Sequence, residues 1–138
     1  MKIEGLIPHR SPMLVVDSLI RLSGGEAVSE TVFSPDSIFL KADGRLEEAV
    51  LFEMMAQTFA AAMAVERGGP SPSAGYLVGI KRLKINGPAL AGEPVRVAVK
   101  IINRVEDFSV IEGEVHQGGQ PLAAGQITVF VPGEAAES

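Results

Sequence analysis

Cysteine is absent from the 138 residues, so disulfides and thiol chemistry are excluded and the redox compartment is left undiagnosed. Histidine is nearly absent: His9 and His116 are the only two. Basic residues are in deficit, 12 against 17 acidic ones, and the resulting net charge of −5 argues against general nucleic-acid binding. No basic segment followed by an apolar run opens the chain, so no signal peptide is expected. The one long apolar run reads as too short for a membrane span and carries Glu53 and Gln57. The expectations are a cytoplasmic protein with no membrane or nucleic-acid partner, no metal and no cofactor. What is present in quantity is apolar residues, 46% of the chain, enough for one domain with a sizeable core. That domain is expected over residues 1–132, with a disordered tail at 133–138.

The chain is organised around Asp43–Gly69, which reads as one long helix that is apolar nearly all round and must therefore be wrapped by other structure. Asp43 or Gly44 supplies the expected start, with Asp43 a good N-cap, Glu47 and Glu48 complement the positive end of the dipole, and Gly68 with Pro70 ends the run. Glu53, Gln57 and Thr58 interrupt the apolar surface. Glu53 and Gln57 are four apart and share a face. A carboxylate in such a helix is costly unless paired, hydrogen-bonded or protonated, and burial would suit it to proton transfer near neutral pH. The alternative reading leaves Glu53 at a solvated helix edge.

Strands are expected at Met13–Leu22, Glu26–Phe33, Gly75–Ile85, Val95–Val105, Phe108–Gln117 and Pro121–Val131. Ser37–Ala42 is a short approach to the helix. Gly79 marks a bulge or a close backbone approach. Gly24-Gly25 and Gly118-Gly119 make turns, as does Glu106-Asp107. Two strands, a buried helix and four strands are most economically one antiparallel sheet curled around the helix. The fold class is α+β. A helix this apolar calls for cover on its last side, for which a second subunit is the expected source.

IPHRSPMLVVDSL (7–19) resembles the opening of the FabZ-type 3-hydroxyacyl-acyl-carrier-protein dehydratases, in which a P-H-R-x-P run leads into the first strand. LFEMMAQTFAA (51–61) is similar to their helix motif, with a carboxylate four residues before a glutamine. GYLVGIKRLKINGPALAGEPVRV (75–97) and AAGQITVFV (123–131) resemble the strands that follow. The resemblance implies the hotdog fold, an antiparallel sheet around a central helix, dimeric, with an acyl tunnel at the dimer interface. It departs from the family before the helix. There the dehydratases carry a catalytic His, whereas SIFLKADGRLEEA (37–49) has none and an ungapped count back from Glu53 lands near Phe39. In this the chain is similar to a divergent hotdog branch. Some of its members accompany aryl-polyene or fatty-acid-like synthesis, and some partner a second, complete hotdog subunit.

The resemblance implies action on an acyl-carrier-protein or CoA thioester by a homodimer or a heterodimer. Glu53 is carried over as catalytic acid or base, and Gln57, one turn on, as its catalytic companion that orients or hydrogen-bonds nearby polar groups. Phe52, Met55, Phe59 and Gly79 are carried over as substrate-binding residues, and the amides near Glu48 and Ala49 as donors to the thioester oxygen. Lys81, Arg82 and Lys84 are the expected docking patch for an acidic carrier, against the alternative of a solvated strand face. The expected function is a 3-hydroxyacyl-thioester dehydratase, with Glu53 making both proton transfers by way of water or a second, His-bearing subunit completing the site. The alternatives are a non-catalytic partner or acyl-binding module and, ranked below the dehydratase, a thioesterase in which Glu53 activates water or attacks the carbonyl.

Overall fold

The computed structural model describes residues 1–8, 10–11, 13–69 and 76–131. Pro70, Gly75, His9 and the expected tail at 133–138 lie outside the described residues. A 3-10 turn (Ile3–Gly5) precedes strands β1 (Ser18–Ser23) and β2 (Glu26–Val32), helix α1 (Glu48–Arg67), and strands β3 (Tyr76–Ile85), β4 (Pro94–Val105), β5 (Phe108–Gln117) and β6 (Gln120–Phe130). The six strands form one antiparallel sheet in the order β1-β2-β4-β5-β6-β3. Gly24 and Gly25 turn β1 into β2, and Gly118 and Gly119 turn β5 into β6. All four have positive φ, as a two-residue type I′ hairpin turn requires.

One face of the sheet packs on α1. Val95, Val97 and Val99 of β4, Ile111 and Val115 of β5, and Ile127 and Val129 of β6 alternate inward and are buried. The intervening residues make the outer face, where Arg96 donates to Glu30 across β4 and β2 at 2.9 Å. Two glycines let the helix sit close. Gly113 of β5 and Gly125 of β6 are directly paired beneath α1. A Cβ on Gly113 would overlap the Met55 thioether, and one on Gly125 would stand 3.3 Å from the Phe52 ring.

Several boundaries differ from expectation. The helix begins at Glu48, not Asp43, with Glu47 as an N-cap that makes no side-chain cap. Asp43 instead closes a turn, accepting from the Arg45 amide at 3.0 Å, while Leu40 and Leu46 bridge around it. The C-terminal end agrees: Gly68 takes the left-handed conformation and its amide donates to the Ala64 and Val65 carbonyls. The first strand begins at Ser18, not Met13, because the backbone of Met13 and Val15 bonds to the Gln57 side chain instead of a strand. β3 does not pair with its sequence neighbour β4 but crosses to β6 at the sheet edge.

The helix is long and apolar enough to cross a membrane, so the expected shortness does not hold. Its burial, 78% of the apolar window, makes it the core helix of a wrapped domain. Nor does it wait for a second chain to cover it. Ile3, Ile7, Val15, Val16 and Leu46 join its core cluster from within the same chain. The exposed large apolar residues lie elsewhere, most densely on β3.

Candidate functional site

α1 brings Glu53 and Gln57 together as their spacing predicts. Gln57 is 2% exposed, and all of its hydrogen-bonding atoms are engaged. Its Oε1 accepts from the Val15 amide at 2.9 Å. Its Nε2 donates to the Met13 carbonyl at 3.0 Å and to Glu53 Oε2 at 3.2 Å. The amide plane is thereby fixed: a flip would set the oxygen against two acceptors and the NH2 against a donor. Glu53 is only partly buried, so one carboxylate oxygen is held in place while the group still reaches the surface. The solvated helix edge is thus half right, since the carboxylate is accessible but not loose.

The neighbouring layer is polar in an unexpected place. Thr58 donates to the Met54 carbonyl at 2.7 Å and takes a hydrogen bond from Ser29 on β2 at 2.7 Å. Both hydroxyls are fully buried. This pins α1 to β2 one residue after Gln57. Sequence reasoning gave no reason to expect hydroxyls on the inward side of β2. Nor did it find the tie to Met13 and Val15. Backbone acceptors and donors carry no sequence signal.

The other candidates fall into separate groups. Glu48 and Ala49 are exposed at the helix start, where first-turn amides lack intrahelical acceptors. Glu48 lines a pocket of about 240 Å³ with Lys41, Arg45, Leu51 and Asn86. Phe52, Met55 and Phe59 are buried between helix and sheet, at 3%, 0% and 2% exposure, and line none of the described pockets. Within one chain they are core. Gly79 stands in a β3 bulge, as one of its two expected readings has it. A Cβ there would meet only Thr128, at 3.8 Å, so no close approach explains it. Lys81, Arg82 and Lys84 are exposed on β3, with Lys81 and Lys84 opposite the outward Gln126 and Ala124. They lie across the sheet from α1.

His116 also projects to the outer face, beside Glu114 at 3.2 Å. No described imidazole stands on the helix side of the sheet. Phe39, near the position where the dehydratases carry His, is half-buried against the core, and its carbonyl accepts from the Glu47 amide at 2.9 Å. Among the described residues no group of three or more His, Cys, Asp or Glu side chains could hold a metal ion. The arrangement offers one positioned carboxylate for proton transfer and free amides at the helix start for an oxyanion.

Comparison with known proteins places this geometry. In the dehydratase heterocomplex ApeI:P from Xenorhabdus doucetiae, a solved chain is 26% identical and superposes with a TM-score of 0.85 over 96% of this chain and 91% of that one. The 3-hydroxyacyl-[acyl-carrier-protein] dehydratase FabZ of Campylobacter lari is 25% identical over 139 residues, 95% of each chain. The PaaI protein of the E. coli phenylacetic acid degradation operon shares the fold, with a TM-score of 0.65 at 15% identity over 82% of this chain and 81% of that one. The hotdog architecture is therefore observed, not only implied. A family model described as ApeP dehydratase matches residues 1–138, so the chain belongs to the ApeP-like family of hotdog dehydratases.

Proposed function

We propose that this chain is the carboxylate-bearing half of a hydro-lyase site acting on 3-hydroxyacyl thioesters, with the imidazole supplied by a second hotdog subunit. The observation that carries the proposal is the Glu53–Gln57 pair. A carboxylate is held by a saturated amide on the central helix, and no described imidazole shares its side of the sheet. Dehydration needs a base for the proton beside the carbonyl, an acid for the departing hydroxyl and donors for the thioester oxygen. Glu53 serves one proton transfer, and the amides near Glu48 and Ala49 the oxyanion. The FabZ relatives, named for acyl-carrier-protein substrates, support the substrate class. The solved ApeI:P heterocomplex supports a partnership between two chains.

Hydration of an enoyl thioester, the reverse reaction, is followed by loss of the conjugated absorbance while thiol release is read in the same cuvette. The complex of this chain with its hotdog partner hydrates. Glu53→Gln lowers that rate by about 10²–10⁴-fold, the usual cost of losing a proton-transfer group. Thiol release that depends on Glu53 would instead make the protein a thioesterase. Turnover unchanged by Glu53→Gln would leave this chain a non-catalytic partner.

A further inference from the structure

β3 is the open side of the sheet. At the opposite edge the N-terminal residues run beside β1: the Leu19 amide donates to the Met1 carbonyl at 2.8 Å and the Ile3 amide to the Asp17 carbonyl at 2.9 Å. Among the described residues β3 has a strand on one side only, along all ten of its residues. Tyr76, Val78, Ile80, Leu83 and Ile85 on it are each at least 36% exposed. An edge this long and apolar is built to pair with another strand.

Its charge is one-sided. The first half, YLVGI, is uncharged, and the second, KRLKI, holds three cations and no acid. A bulge gathers those cations. Lys81 pairs with Gln126 and Lys84 with Ala124, so Arg82 and Leu83 together oppose Gly125. Strict alternation would send Lys81 and Lys84, three apart, to opposite faces. The bulge puts both on the outer face. Arg82, held at a φ of 54°, joins them there, lining a hollow with Glu112 and Glu114. Among the described residues none of the three cations makes an ion pair or a side-chain hydrogen bond.

We propose that this edge chooses its partner by charge: it disfavours a second copy of this chain and takes a hotdog chain whose edge strand carries carboxylates on the outer face. The inference rests on the reading above that a second hotdog chain completes the site. Two-fold self-pairing of β3 must keep inward residues opposite inward ones. The registers that overlap most of the strand centre on Ile80 or on Lys81. They set the two Lys81 diagonal to each other or directly opposite, roughly 5–8 Å apart at their β-carbons, with Arg82 and Lys84 following on the same face. Like charges so placed oppose pairing, whereas carboxylates there would favour it. The exposed apolar residues supply attraction to either partner, so the cations decide between them.

The test needs no identified partner. A Lys81→Glu/Lys84→Glu copy provides the acidic edge, and it is mixed in equal amounts with the ¹⁵N-labelled wild-type chain and read by native mass spectrometry. At low salt, mixed dimers exceed about three-quarters of all dimers, and raising the salt returns them toward the half that indifferent mixing gives. A mixed share of one half at both salt strengths overturns the proposal, as does the absence of mixed dimers. So does a variant that dimerises as the wild type does but loses binding to an acidic carrier, because the cations then serve carrier docking. A charge-dependent mixed dimer found beside a complex without hydration activity upholds the edge and removes the functional reading, so the two failures are distinct.

Discussion

At the scale of single residues the site turns on Gln57. Its spacing from Glu53 was legible, because two polar residues four apart in an apolar helix must share a face. Its other partners, the Met13 carbonyl and the Val15 amide, were not. They are main-chain groups 44 and 42 residues away, and any side chain at those positions would offer them. Gln57→Leu keeps the volume but leaves the buried Val15 amide without its acceptor. It lowers the unfolding free energy by about 1–3 kcal/mol in urea titration, the cost of an orphaned buried polar group. A loss below a few tenths would mean that the tie between the N-terminal segment and the helix contributes nothing. Glu53→Gln, in contrast, retains a hydrogen-bonding group at a half-exposed position and leaves stability nearly unchanged while lowering turnover.

Among the elements, the helix was the most legible and its start the least. The apolar run could only be a wrapped helix, and Gly68 marked its end by conformational freedom. Asp43 misled, because an aspartate that caps a helix and one that closes a turn look alike in sequence. The sheet hid two features. Gly113 and Gly125 are unremarkable in a strand until their pairing beneath Met55 and Phe52 is seen. Gly113→Ala forces the thioether of a fully buried Met55 aside and destabilises by about 1–3 kcal/mol, as overpacking does. Gly125→Ala asks the Phe52 ring to yield only slightly and costs less. Denaturation midpoints of the two variants check this, and equal midpoints would show that the helix does not rest on Gly113. The second hidden feature is the other β3 bulge, at Arg82 and Leu83, since KRLK alternates plausibly in either register.

For the whole molecule, element order and antiparallel pairing followed from turn chemistry, but β3's place beside β6 did not. A crossover to the far edge leaves no local signature. That placement leaves β3 as the open edge and moves the case for a partner from the helix to the strand. The helix is already covered by residues of its own chain. Incompleteness lies in the chemistry: a held carboxylate without a described imidazole on its side of the sheet.

The most direct measurement of that incompleteness is the rate of enoyl-thioester hydration by the purified chain alone, titrated with free imidazole. The group that the proposal assigns to the partner, an imidazole, is a small heterocycle that can diffuse into the site. Activity is predicted to be near the uncatalysed background without imidazole, to rise with its concentration, and to show no such rise in Glu53→Gln. Full hydration without imidazole would contradict the account, because Glu53 would then need no second proton-transfer group. An imidazole response that persists in Glu53→Gln would contradict it from the other side, because the carboxylate would not be part of the site.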